Sequence, residues 1–163
     1  MKKEVLALAV GIGLLPPIWA VLSGYAGITC GAVALICAGI YVANGNKVED
    51  GPKISIGFLM AILWAVIALW SMENLPFSAD INTFATLAVM GFAAVLIANA
   101  FEKWIYLPAV LCGWAIGLTI MGPLGTAGMG TLPIQIGVAM LVGVWYVGWG
   151  VDAFCKLLLK GRE

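Results

Sequence analysis

Six runs of mostly apolar residues, each closed by charged or turn-forming residues, constrain this chain more than any other feature. A helix crossing a bilayer needs about 20 such residues at about 1.5 Å rise each. The runs predict helices over residues 4–22, 25–44, 54–72, 81–100, 104–122 and 133–155. Of the 163 residues, 63% are hydrophobic and 10% charged, against about 45–50% and about 25% in a soluble domain. That balance excludes a soluble globular domain, a disordered chain and a nucleic-acid binder. The expected fold is all-α: one polytopic membrane domain over 1–163 with six transmembrane helices. The first run follows Lys2 and Lys3 but is too long for a signal peptide and lacks a small-residue cleavage site, so helix 1 is expected to be retained.

The formal charge is zero, yet the charges are sorted. Lys2 and Lys3 precede helix 1; Lys47 and Lys53 follow helix 2; Lys103 follows helix 4; Lys156, Lys160 and Arg162 follow helix 6. All eight basic residues fall on one side of a six-helix chain, together with six acidic ones, while Glu73 and Asp80 fall on the other. Lys and Arg bias toward the cytoplasm sets orientation, so both termini are expected in the cytoplasm. Tyr41, Trp104, Tyr106 and Trp149 at one end, and Tyr25 and Trp70 at the other, read as interfacial anchors.

Chemistry needs groups that this sequence withholds. There is no histidine and no CxxC, so zinc, haem, copper and histidine acid–base chemistry are not expected. Cys30, Cys37, Cys112 and Cys155 read as small packing residues. The ionisable residues inside the runs, Glu4 and Asp152, lie near their ends, and Lys156 stands one helical turn beyond Asp152. The bilayer centre is therefore expected to be uncharged, which speaks against ion-coupled carriers, voltage sensors and charged-ring channels. No enzyme activity and no cofactor are expected.

Polar side chains within the spans include Thr29, Ser55, Thr83, Thr86, Asn99, Thr119 and Gln135. Thr29 and Thr119 either bond their own or a neighbouring helix or line a lumen; Asn99 and Gln135 are costlier to bury. Pro16-Pro17 predicts a kink or a break in helix 1, and the very short Ser23-Gly24 connection a tight hairpin. The Gly-rich stretch from Gly122 to Pro133 is either a flexible connector or a re-entrant turn over a pore. Gly27/Gly31 and Gly113/Gly117 form GxxxG faces, extended in helix 2 by Ala34 and Ala38. Ile18-Trp19-Ala20-Val21, Leu63-Trp64-Ala65-Val66 and Gly113-Trp114-Ala115-Ile116 suggest three helical-hairpin repeats, with Trp19, Trp64 and Trp114 at equivalent positions.

On Ile18-Trp19, Leu63-Trp64-Ala65, Leu107-Pro108 and the Gly-rich start of helix 6, the chain resembles a YcdZ-type family of small bacterial inner-membrane proteins of unknown function. In size and helix count it is also similar to small six-helix urea and amide channels, a likeness of architecture. The resemblance implies a multi-pass protein of the bacterial inner membrane. The expected function is a passive channel or facilitator for a small neutral or weakly charged solute of the urea, amide or short-acid class. Alternatives are an accessory subunit of a membrane complex and a secondary transporter coupled at a Pro16-Pro17 break. Expected pore-lining residues are Trp19, Trp64 and Trp114, with Thr29, Thr119 and Gln135 as polar contacts. The expected partners are the lipid bilayer, the solute and further copies of the chain.

Overall fold

The computed structural model describes residues 3–160, and among these the regular elements are all helical. In chain order they are α1 (Lys3–Tyr25), α2 (Val33–Ala43), a 3-10 turn (Val48–Asp50), α3 (Gly51–Asn74), α4 (Ala79–Ala100) and α5 (Leu107–Met121). A second 3-10 turn (Gly122–Leu124), the four-residue α6 (Gly125–Gly128), α7 (Leu132–Val142), a π-helical segment (Gly143–Trp149) and α8 (Gly150–Lys160) complete it. Five stretches are long and apolar enough to cross a membrane: Lys3–Tyr25, Val48–Asn74, Ala79–Ala100, Leu107–Gly128 and Leu132–Leu159. The sixth apolar helix, α2, has only 11 residues. Lys2 and Arg162, two of the sorted basic residues, lie outside the described residues.

The break offered as one alternative at Pro16-Pro17 and the hairpin expected at Ser23-Gly24 need correction. Pro16 and Pro17 sit inside α1 without dividing it. Proline's fixed φ is itself helical, and what the helix loses is two N–H donors and room beside the carbonyls one turn back. The interruption falls instead in the second run. No hairpin forms at Ser23-Gly24, because both residues belong to the last turn of α1. That helix ends in a Schellman motif: Gly27 takes φ +72, its N–H donates to the Gly24 carbonyl at 3.1 Å, and the Ile28 N–H donates to the Ser23 carbonyl at 2.9 Å. Gly27 is thus no helical packing residue. Residues 26–32 run as turns, and three successive i+3 bonds into Val33, Ala34 and Leu35 wind the chain up into α2.

The chain forms two compact units. The first comprises Met1–Gly51 with Val138–Glu163. In it, α1 packs on α8 where Gly11 faces Val151, Phe154 and Cys155. α2 packs on the π segment through small residues: a Cβ on Gly143 would stand 2.3 Å from the Ala34 carbonyl, and one on Gly148 would stand 2.9 Å from the Tyr41 ring. Positions five apart diverge on an α-helix turning about 100° per residue. A π turn closes i→i+5, which brings Gly143 and Gly148 to one face. Ala34 and Ala38 form a cluster there with Val147, backed by Trp19, Val142 and Tyr146. Tyr41 is wholly buried and donates its hydroxyl to the Asn46 carbonyl at 3.2 Å. On α8, Lys156 pairs with Asp152 at 2.6 Å, the helical pair its spacing predicts.

The second unit is Pro52–Gly137. Its core face on α3 comprises Ile54, Phe58, Ala61, Ile62, Ala65, Ala68 and Leu69, at helical spacing. α5 approaches α3 closely: a Cβ on Gly117 would lie 2.6 Å from the Ala65 Cβ. The Gly113/Gly117 face, both residues buried, is therefore a packing face within the unit. On α4 the buried positions are Asn82, Thr86, Met90, Ala94 and Ala98, one every four residues. Large apolar side chains such as Phe84, Val89, Phe92 and Leu96 on α4 point outward and remain exposed.

Candidate functional site

The six residues expected to line a pore divide between the units. Trp19 and Thr29 lie in the first; Trp64, Trp114, Thr119 and Gln135 lie in the second. Trp19, half-buried on α1, donates its indole N–H to the Gly31 carbonyl at 2.9 Å, and Ser23, buried one turn on, donates to the Ala20 carbonyl at 3.0 Å. Gly31 fits there because a Cβ would come within 2.3 Å of the Ser23 Oγ. Trp19 thus fastens the irregular 26–32 stretch to α1. Thr29 lies exposed in that stretch.

Trp64 and Trp114 converge on one turn of α4. The Trp64 indole N–H donates to the Met90 carbonyl at 3.2 Å, while the Trp114 ring packs beneath Gly91, where a Cβ would stand 3.8 Å away. Thr119 is exposed on α5, and Gln135 donates to the Thr131 hydroxyl at 3.0 Å.

Three buried polar atoms of this second unit have no hydrogen-bond partner: Asn82 Oδ1, Thr86 Oγ1 and Trp114 Nε1. Their residues are 5%, 4% and 8% exposed. Asn82 spends its amide N–H groups on the Met72 and Leu75 carbonyls, at 3.1 and 2.8 Å, and so caps the C-terminus of α3. Its oxygen stays unpaired, as does the Thr86 hydroxyl one turn along the same buried face. Leaving such groups unpaired costs about 1–3 kcal/mol each, and all three are neutral. Asn82 escaped the sequence reading because it stands at a helix start; its signal is the spacing Asn82, Thr86, Met90, Ala94, Ala98.

Two clefts open on the same unit. One, of about 320 Å³, is lined by Lys53, Asn99, Glu102, Tyr106 and the apolar Val95, Leu96, Ala98, Ile105, Leu107 and Pro108. The Lys53 ammonium stands 5.8 Å from the centre of the Tyr106 ring. The other, also about 320 Å³, is walled by Val66, Ile67, Trp70, Thr126 and Met129. Beside it the Gly-rich stretch is pinned: Glu73 on α3 accepts the Thr126 backbone N–H at 2.7 Å and also the Thr126 hydroxyl. Gly125 adopts φ +66 there, and an added Cβ would stand 2.8 Å from the Glu73 carboxylate. None of the six expected pore residues lines either cleft.

The fold and site define an all-helical protein with five helices long and apolar enough to cross a membrane, and with neutral polar atoms buried unpaired in one of its two units. The chain belongs to the family described as protein of unknown function (DUF1097), whose model matches residues 9–156. No curated protein and no solved structure matches it.

Proposed function

We propose that the chain is an integral membrane protein that lets a small neutral or weakly charged solute, of the urea, amide or short-acid class, cross passively. The observation that carries this reading is the set of unpaired buried atoms in the second unit, Asn82 Oδ1, Thr86 Oγ1 and Trp114 Nε1. An acceptor, a hydroxyl and a donor suit a solute that both donates and accepts hydrogen bonds. The long apolar stretches carry no Asp, Glu, Lys or Arg near their centres, which supports passive movement over ion coupling. Coupling at Pro16-Pro17 loses its basis, since α1 is unbroken.

The sorted basic residues support a reading with both termini in the cytoplasm, in the bacterial inner membrane that the YcdZ-type resemblance implies, and the likeness to urea and amide channels belongs to this same reading. That orientation requires residues 26–43 to complete a crossing. Seven turn residues and eleven helical ones have the length for a core of about 30 Å. Non-helical backbone at that depth must be buried in protein or face a water-filled space; the Trp19–Gly31 bond pairs one carbonyl of the stretch. Trp19 donates to the Gly31 carbonyl and Trp64 to the Met90 carbonyl, each from the odd helix preceding its acceptor in the six-helix scheme, as the proposed hairpin repeat would have it. Assembly into a homo-oligomer stays part of the proposal.

Stopped-flow uptake into proteoliposomes tests the reading. Urea, acetamide and formate are the panel, and at least one should enter several-fold faster than into empty liposomes. The second reading, an accessory subunit, is favoured by the engagement of Trp19 and Trp64 in holding helices together. It predicts background flux for every solute and co-purification with a partner in mild detergent.

A further inference from the structure

The cleft at the ends of α3, α4 and α5 plays no part in the solute reading, and its lining is amphiphilic. An ammonium (Lys53), a carboxylate (Glu102), an amide (Asn99) and a phenol (Tyr106) share about 320 Å³ with six apolar residues. Among the described residues, Lys53 and Glu102 pair neither with each other nor with another charged side chain. Opposite charges that share a cleft and stay apart are complemented by a ligand carrying both. The apolar wall opens outward through Val95 and Leu96, 44% and 54% exposed, and Phe101 and Trp104 stand exposed at the same turn. Charged groups where an apolar surface stops, beside exposed aromatic rings, mark headgroup level in a bilayer.

We propose that this cleft binds the phosphoethanolamine headgroup of a membrane phospholipid. Lys53 meets the phosphate. Glu102 accepts N–H bonds from the ethanolamine ammonium, which a trimethylated choline cannot donate. The acyl chains run along Val95 and Leu96. A phosphatidylglycerol headgroup satisfies Lys53 and leaves Glu102 facing no cation. This inference rests on the membrane reading above and is independent of the solute.

Native mass spectrometry of the detergent-purified protein tests it, with titrations of phosphatidylethanolamine, phosphatidylcholine, phosphatidylglycerol and soluble glycerophosphoethanolamine. The ethanolamine lipid should bind about tenfold tighter than the other two lipids and than the soluble headgroup. Lys53→Met should lower that affinity about tenfold. Glu102→Gln, at an exposed helix end, should abolish the preference over choline while leaving the melting temperature unchanged. Equal binding of the three lipids, a preference for phosphatidylglycerol, equal binding of the soluble headgroup, or an ethanolamine preference over choline that survives in Glu102→Gln overturns the inference. Recovery of the chain from cells without detergent overturns the membrane reading and this inference with it; recovery in the membrane pellet with no lipid preference overturns the inference alone.

Discussion

Single atoms decide how closely these helices approach. At Gly143 an added Cβ would stand 2.3 Å from a backbone carbonyl, which cannot move aside as a side chain can. Gly143→Ala should therefore destabilise the protein by about 1–3 kcal/mol or more. Gly39→Ala on α2, where a Cβ meets nothing within 4 Å, should stabilise it by about 0.5–1 kcal/mol through helix propensity. Thermal melts of both variants in one detergent check the contrast, and equal shifts would refute the close approach. Trp64→Phe keeps the ring and removes only the donor to the Met90 carbonyl. It should lower stability by about 1 kcal/mol, and a melt indistinguishable from wild type would show the bond contributes nothing.

At the scale of elements, the long helices were legible because a bilayer-length apolar run has few alternatives. α1, α3, α4 and α5 start or end within a few residues of where the charged and turn residues put them. The interruption of the second run was not legible. It depends on Gly27 taking a left-handed conformation and on Gly31 fitting against Ser23 and Trp19, and a distant contact of that kind leaves no periodic trace. The π segment hid for the same reason: a Gly143/Gly148 pair five apart reads as noise until the partner helix is known. The Gly-rich stretch offered a connector or a re-entrant turn, and it folds as helical turns held by Glu73. Glu73→Ala should release residues 125–131. Amide hydrogen exchange there should speed up markedly while exchange in α4 stays unchanged; unchanged exchange at 125–131 would remove Glu73 from that role.

For the molecule as a whole, the sequence spends its few charges at the ends of apolar stretches and leaves the interior neutral. That much could be read from the positions of the charged residues along the chain. The unpaired atoms could not: Thr86 was visible as a polar residue within a span, but its burial beside Asn82 on one face of α4 follows from packing. The cleft at Lys53 is equally non-local, joining Lys53 on α3 to Glu102 in the turn after α4. In the passive-solute proposal the unpaired atoms of Asn82, Thr86 and Trp114 meet the solute. Thr86→Val tests it most directly, since the two side chains share their shape and differ in the hydroxyl, which bonds nothing in the protein. In proteoliposomes matched for protein content, Thr86→Val should cut solute flux several-fold with no loss of melting temperature. Flux equal to wild type would contradict the account.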